Sequence, residues 1–346
     1  MNMLRNKTRE PNFANLVSVL KKETPPRPVL FEFIIGEEKT KLLAGEHYNA
    51  ETEFSRVVSN IKAFENGGYD FAPIIVRGME FPRRTGDHPA AQTKSLNEEA
   101  LITDRESFDR YVWPRVENAD FSIIARAGKH LHPGAKFIVF SHDGILENAI
   151  GVVGFDNLCY LLYDDPELAE EIFNNIGRII YEYFLKCLEY DEIGAIICND
   201  DWGFHSATML SPAHLRKYVF PWYKKIVRAA HDSGRPAILH SCGYYHDIID
   251  DIIYDMKFDG RHSYEDKIVP VEKAYAELRG KIAVIGGIDV DFLSRATPGE
   301  VYDRSRRLLE MTAATGGFAL GSGNSIPDFI SDENYLAMLR AALDME

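Results

Sequence analysis

The residue types best suited to chemistry lie in His240-Ser241-Cys242-Gly243, directly after the apolar run Pro236–Leu239. If that run is a β-strand, alternate side chains point the same way, so the imidazole of His240 and the thiol of Cys242 face one point. Imidazole nitrogen and thiolate sulfur are both good zinc ligands. Glu265, 23 residues after Cys242 and just past the next apolar run, offers a third ligand. The pattern favours a metal site; a buried cysteine beside a structural histidine is the alternative.

Short apolar runs alternate with long amphipathic stretches along almost the whole chain. This order predicts parallel strands joined by helices, and eight such units predict an α/β fold with a single closed (β/α)8 TIM barrel. An open doubly wound sheet is the alternative, but the chain lacks the G-x-G-x-x-G turn of a dinucleotide-binding sheet. The predicted strands are Val29–Ile34, Phe71–Val76, Lys136–Phe140, Ala195–Cys198, Pro236–Leu239, Phe258–Gly260, Ile282–Ile285 and Phe318–Leu320.

Helices are predicted between these strands. Ser211 and Thr297 precede prolines as N-caps, and Pro221 predicts a kink inside its helix. The main predicted helices are Glu53–Asn66, Pro166–Glu189, Pro212–Asp232, Asp247–Met256, Pro270–Leu278 and Pro298–Thr315.

The barrel prediction places the active site where the carboxyl ends of the strands emerge. We interpret Asn199, Asp201 and His205, which follow the strand Ala195–Cys198, as candidate catalytic residues, although a helix-capping role for Asp201 is an open alternative. The aromatic members of the surrounding pocket have a second interpretation as packing between barrel and helices. The predicted pocket residues are His142, Trp202, Phe204, Tyr244, Asp289 and Asn324.

Composition limits the partners. The 346 residues are 45% hydrophobic and 12% aromatic, enough for a large core, and the formal net charge is −14. This charge argues against nucleic acid and anionic membranes, since both are polyanions. Four scattered cysteines do not form the pattern of a disulfide framework, and neither a signal peptide nor a membrane-spanning run is evident. We therefore expect a cytoplasmic enzyme.

We expect one domain over residues 1–346. Residues 1–26 are interpreted as an N-terminal extension or helix, and residues 78–135 as a helical insertion over the barrel mouth. Within the insertion, Asp104–Glu117 is predicted to be helical.

The chain resembles the uroporphyrinogen decarboxylase superfamily, and within it the zinc-dependent methyltransferases of corrinoid systems. The resemblance extends over roughly residues 54–343 and implies a (β/α)8 barrel. The residues that carry it are Asp200-Asp201-Trp202-Gly203, Met209-Leu210-Ser211-Pro212, Phe220-Pro221-Trp222, His240-Ser241-Cys242-Gly243, Gly286-Gly287-Ile288-Asp289-Val290, Gly321-Ser322-Gly323-Asn324-Ser325-Ile326-Pro327 and Glu333-Asn334.

Two departures from the family distinguish its branches. The true decarboxylases have an arginine-rich signature for substrate carboxylates, whereas the corresponding strand here reads Phe31-Glu32-Phe33-Ile34-Ile35-Gly36. The methyltransferase branch implies His240 and Cys242 as zinc ligands, with Glu265 as the third. Where that branch has a last cysteine, this chain has Ser322. Ser322 therefore marks either an open coordination position or a loss of metal binding.

The resemblance implies a methyltransferase or demethylase with one Zn²⁺ per chain. It would move a methyl group between a small methylated compound, such as a methoxylated aromatic, and a corrinoid. The sequence has no D-x-H-x-x-G corrinoid-binding motif, so the corrinoid is expected on a separate protein. A decarboxylase of the porphyrinogen type and a non-catalytic barrel are the alternatives.

Overall fold

The computed structural model describes residues 9–83, 96–97 and 100–345 of the chain. Its centre is a curled sheet of seven parallel strands, whose order in the sheet equals their order in the sequence. Crossovers that contain helices join these parallel strands, as the alternating pattern predicts. The strands are β1 (Phe71–Ile74), β2 (Lys136–Phe140), β3 (Ile193–Asn199), β4 (Ala237–His240), β5 (Gly260–His262), β6 (Ala283–Ile285) and β7 (Phe318–Ala319).

The predicted first strand, Val29–Ile34, does not join the ladder as a regular strand. It is an extended segment that pairs with the end of β7 through single bridges, including hydrogen bonds from Phe31 N to Leu320 O and from Leu320 N to Val29 O, both 2.8 Å. No backbone hydrogen bond joins the described part of this segment to β1. The ring of Phe31 packs on that of Phe71 instead, with 5.3 Å between centroids. Side-chain packing, rather than a hydrogen-bonded ladder, therefore fills this side of the barrel-like sheet.

The α-helices surround the sheet. Short 3₁₀ turns occur at Gly45–His47, Val116–Asn118 and His246–Ile248. The α-helices are Ala14–Leu20, Glu37–Ala44, Glu53–Gly67, Arg105–Arg110, Ser122–Gly128, Ile145–Val153, Phe155–Asp164, Pro166–Leu188, Pro212–His214, Phe220–Asp232, Val271–Leu278, Val290–Arg295, Pro298–Thr312 and Asp332–Leu343.

The predicted helix Pro212–Asp232 begins after its expected N-cap, Ser211, whose hydroxyl accepts a hydrogen bond from the amide of His214. Its middle is a π-helical turn over Leu215–Val219, directly before the α-helical part that contains Pro221. Proline has no amide hydrogen and its ring crowds the preceding turn, so the hydrogen-bond pattern changes there. The predicted helix Asp247–Met256 is helical but irregular: the 3₁₀ turn His246–Ile248 continues through residues 249–250, which are α-helical, into the π-helical turn Asp251–Asp255.

The predicted insertion at 78–135 lies partly outside the described residues. Asp104 caps a helix as expected, but that helix ends at Arg110 rather than Glu117. Pro114 disfavours helical backbone at Trp113, so the helix could not continue to Glu117. The placement of this segment over the barrel mouth stays a prediction, as does the extension at 1–26, of which Ala14–Leu20 is helical.

The sheet is buried on both faces, as expected for parallel strands covered by helices. Every residue of β1, β4 and β5 is buried. Considered one at a time, the helices of the described part are too short or too polar to cross a membrane; Ile145–Val153 and Phe155–Asp164, bent by 96°, meet the length and composition criteria only as a pair.

Candidate metal centre

Three donor side chains meet where β3 and β4 end. One oxygen of Asp201, one ring nitrogen of His240 and the sulfur of Cys242 all lie within 4.8 Å of one another. His240 is the last residue of β4, and its backbone pairs with Asn199, the last residue of β3, so Asp201 and Cys242 each follow a strand end by two residues. The parallel register thus brings the three donors together.

The chemistry and spacing of this group fit zinc. Cys242 Sγ lies 3.8 Å from His240 Nε2. A nitrogen and a sulfur bound to one tetrahedral zinc are about 3.6 Å apart, given the usual bond lengths. Burial, followed by the nearby Asp201 carboxylate, raises the pKa of the Cys242 thiol. A bound cation would replace that proton, since metal ligands must be deprotonated.

Polar groups also fix the cysteine. The amide of Cys242 donates to Asp201 Oδ1 at 2.7 Å, and Asn324 Nδ2 donates to Cys242 Sγ at 3.2 Å. Asn324, predicted for the substrate pocket, therefore contacts the candidate ligand itself.

A second histidine lies behind His240. This histidine, His262, is the last residue of β5, and it is paired with His240 in the register of β4 and β5. The two Nδ1 atoms are 2.7 Å apart, and His262 Nε2 lies 3.1 Å from the carbonyl oxygen of Ser322. Burial lowers the pKa of both imidazoles, that of His262 to about 4. The sequence predicts that this strand ends at Gly260, which leaves His262 in the following loop as a candidate general acid or as a partner for the second nitrogen of a zinc-bound histidine.

The two remaining predicted ligand positions are engaged elsewhere. Glu265 lies outside the group of three donors, and its carboxylate accepts the amide of Gly243 at 3.3 Å. The hydroxyl of Ser322 donates to Glu32 at 2.7 Å, and its amide donates to the same carboxyl group at 2.7 Å. Ser322 is completely buried in this contact. A ligand role for Glu265 and an open coordination position at Ser322 stay predictions.

The buried acid Asp200 has a structural environment. It accepts the amides of Leu146 and Glu147, the indole of Trp202 and the hydroxyl of Tyr223. Burial raises its pKa to about 7 despite these donors. Asp200 thereby holds the start of the helix Ile145–Val153 and the Trp202 ring beneath the site.

Several predicted pocket residues have partners of their own. Trp202 is fully buried, which matches its interpretation as packing. The two oxygens of Asp289 accept the amides of Phe292 and Asp266 at 3.0 and 2.9 Å, so this carboxylate caps a helix and holds the loop after β5. Tyr244 donates to Asp247, and His142 Nε2 lies 2.9 Å from Glu80.

The remaining predictions fall at the strand ends. Asn199 is buried beside Ser141, whose hydroxyl lies 3.4 Å from its amide oxygen. Phe204 is 44% exposed and packs on Phe155, and His205 follows it in an exposed turn. Catalytic roles for Asn199, Asp201 and His205 stay predictions.

The fold and the site define an α/β protein with a barrel-like parallel sheet and a candidate metal centre at the carboxyl ends of its strands. The family described as uroporphyrinogen decarboxylase (URO-D) matches residues 97–345, so the chain belongs to this family.

Similar proteins carry two kinds of activity in their names. The "methylated-thiol--coenzyme M methyltransferase" of Methanosarcina mazei is 25% identical over 191 residues, 55% of this chain and 48% of that protein. The match thus spans about half the length of that relative. A "uroporphyrinogen decarboxylase" of Geobacter sp. (strain M21) is 25% identical over 272 residues, 77% of this chain and 75% of that protein.

The fold likeness extends further than the sequence likeness. A solved "methyltransferase from Methanosarcina mazei" has a TM-score of 0.70 to this chain at 16% identity, covering 95% of this chain and 97% of the other. At this identity the likeness shows the fold alone.

Proposed function

We propose that this protein is a zinc-dependent methyltransferase that moves a methyl group between a small methylated compound and a corrinoid carried by a separate protein. The observation that carries the proposal is the group of Asp201, His240 and Cys242, whose oxygen, nitrogen and sulfur donors lie within 4.8 Å of one another. A relative named as a methyltransferase supports it. The donor set, with one thiolate, suits a catalytic rather than a purely structural zinc.

Each residue has a definite task in this proposal. Asp201, His240 and Cys242 would hold the zinc ion, which supplies Lewis acidity toward the heteroatom that carries the methyl group. Asn324 orients the sulfur through its 3.2 Å hydrogen bond. A reduced corrinoid on the partner protein would supply the electron pair that accepts the methyl group, and the departing heteroatom would keep the electrons of the broken bond and take a proton from water.

Decarboxylation of uroporphyrinogen fits the site less well. A substrate with many carboxylates needs several free cations. The position that the arginine-rich signature would occupy holds Glu32, which is buried. Of the described cations near the strand ends, Arg83 pairs with Asp143 at 2.6 Å and Arg77 lies 3.7 Å from Glu53.

Metal content tests the proposal first. We expect about one zinc per purified chain, lost in His240→Ala and in Cys242→Ser while circular dichroism stays unchanged, because both ligands lie at the carboxyl end of β4 and neither side chain takes part in the backbone hydrogen bonds of the sheet. Cys159→Ser is the matched control and should keep its zinc, since this cysteine lies on a helix. Full zinc in both ligand variants would contradict the assignment.

Activity tests it second. With a reduced corrinoid protein supplied, a panel of methoxylated aromatics, methylamines and methyl thioethers should yield methylcobalamin, followed by absorbance. Cys242→Ser should abolish this signal. A panel with no signal from zinc-loaded protein would count against methyl transfer.

A further inference from the structure

We propose that His262 is a positioning residue, which fixes His240 in the tautomer whose Nε2 is free to bind a metal. The inference rests on the proposed metal centre and names the part of the chain that prepares its nitrogen donor.

The parallel register of β4 and β5 places the two imidazoles side by side. His240 and His262 occupy paired positions at the ends of β4 and β5. Their Nδ1 atoms are 2.7 Å apart, which is hydrogen-bond distance. One of the two nitrogens must therefore carry the hydrogen and the other must accept it.

The hydrogen bond on the other side of the His262 ring determines which of the two Nδ1 atoms donates. His262 Nε2 lies 3.1 Å from the backbone carbonyl oxygen of Ser322. A carbonyl oxygen can only accept, so this Nε2 carries a hydrogen. A neutral imidazole has only one N–H, so His262 Nδ1 is the acceptor and His240 Nδ1 the donor. The remaining nitrogen, His240 Nε2, then has its lone pair directed to the side where Cys242 Sγ lies 3.8 Å away.

The opposite direction would exclude metal binding. If His262 donated from Nδ1, His240 would carry its hydrogen on Nε2, and that nitrogen could not act as a ligand. Both rings are buried, at 7% and 1% exposure, which favours their neutral forms.

Packing holds the rings in this arrangement. The ring of Phe33 lies 4.6 Å from that of His240, and the ring of Phe31 lies 5.4 Å from that of His262, measured between centroids. Gly286 leaves room for the last hydrogen bond: a Cβ there would lie 2.3 Å from Ser322 O and 2.8 Å from His262 Nε2. Its φ of +73° also favours glycine. The sheet thus supplies an acceptor that metal-binding histidines usually require behind them.

Three variants separate this role from a merely structural one. His262→Phe keeps an aromatic ring but removes the acceptor. His262→Asn restores an acceptor oxygen near the place of Nδ1. His231→Phe is the matched control. His231 lies on the surface helix Phe220–Asp232, pairs with Asp259 and is outside the site.

The tautomer is read in metal-free protein labelled with ¹⁵N-histidine, by long-range proton–nitrogen correlation, and zinc affinity by competition with a chromophoric chelator. We expect His240 to carry its hydrogen on Nδ1 in the unaltered protein and in His231→Phe. In His262→Phe the hydrogen should move to Nε2 and zinc affinity should fall about 10-fold or more, with partial recovery of both in His262→Asn.

Two results would overturn the inference: a hydrogen on His240 Nε2 in the unaltered protein, or a His262→Phe variant that has the original tautomer and binds zinc as tightly as before. Neither the tautomer measurement nor the zinc affinity depends on methyl transfer. Failure of the proposed function would appear instead as absent zinc or absent methylcobalamin in a protein whose His240 tautomer is as expected.

Discussion

Glu32 is a carboxyl group in the interior whose hydrogen-bond partners among the described residues are the amide and hydroxyl of Ser322. Burial is the largest influence on it and raises its pKa from 4.5 to about 8. Glu32 is therefore protonated at neutral pH. Its partner Ser322 is also the residue whose carbonyl oxygen lies 3.1 Å from His262 Nε2.

This residue makes stability depend on pH. Between pH 4.5 and about 8 the folded chain keeps a proton that the unfolded chain has lost. The free energy of unfolding should therefore fall as the pH rises through this range, by at most about 1.4 kcal/mol per pH unit for one group. Asp200, whose pKa burial raises to about 7, acts in the same direction. Urea unfolding at several pH values should show a shallower fall in Glu32→Gln; an unchanged slope would contradict the prediction.

The third zinc donor can be identified by comparing two carboxylates. Asp201 belongs to the donor group, whereas Glu265 binds the amide of Gly243. Asp201→Asn should therefore weaken zinc binding by about 10-fold or more, and Glu265→Gln should weaken it less. Competition with a chelator measures both. The reverse order would return the third position to Glu265, as the sequence alone predicts.

At the scale of elements, the loops after β3 and β4 hold each other through backbone contact. The amide of Tyr244 donates to Phe204 O at 2.8 Å. Gly243 has a φ of +83°, and a Cβ there would lie 2.1 Å from the carbonyl oxygen of Gly203. This contact sets the loop that carries Cys242.

Gly243→Ala should therefore destabilise the protein and weaken zinc binding. The matched control is Gly234→Ala, because Gly234 has a similar φ of +76° but no atom within 4 Å of the added Cβ. The control should cost only the backbone strain, about 1 kcal/mol, and should leave zinc binding unchanged. Urea unfolding and zinc titration measure the two effects. Equal losses in both variants would contradict the proposed loop contact.

The sequence predicts the elements better than it predicts their partners. Seven of the eight predicted strands occur, the predicted Phe258–Gly260 two residues later as Gly260–His262, because buried parallel strands are short apolar runs between helices. Val29–Ile34 has the same composition, but among the described residues it has no ladder partner on the side of β1, since such pairing depends on the register of distant segments. The pair His240 and Cys242 follows from period-2 alternation within one strand. Asp201 and His262 join the site through the register of neighbouring strands, which no local pattern contains.

At the scale of the whole molecule, membership of the decarboxylase family and the chemistry of the site point to different activities. Uroporphyrinogen should not be decarboxylated by the purified chain, because Glu32 occupies the place of the arginine-rich signature and Arg77 and Arg83 lie against the carboxylates of Glu53 and Asp143. Chromatographic detection of the product tests this. Turnover by zinc-free protein would overturn the proposed function and favour the decarboxylase.

The extended segment Val29–Ile34 contacts β1 through phenylalanine rings and, within the described residues, without backbone hydrogen bonds between them. A seam therefore lies between this segment and β1. Amide hydrogens of β1 that face the seam should exchange with deuterium sooner than those inside β3, which is flanked on both sides. Since Phe31 and Phe33 of the same segment pack on the rings of His262 and His240, local opening at this seam should also expose the proposed zinc ligand His240 to water.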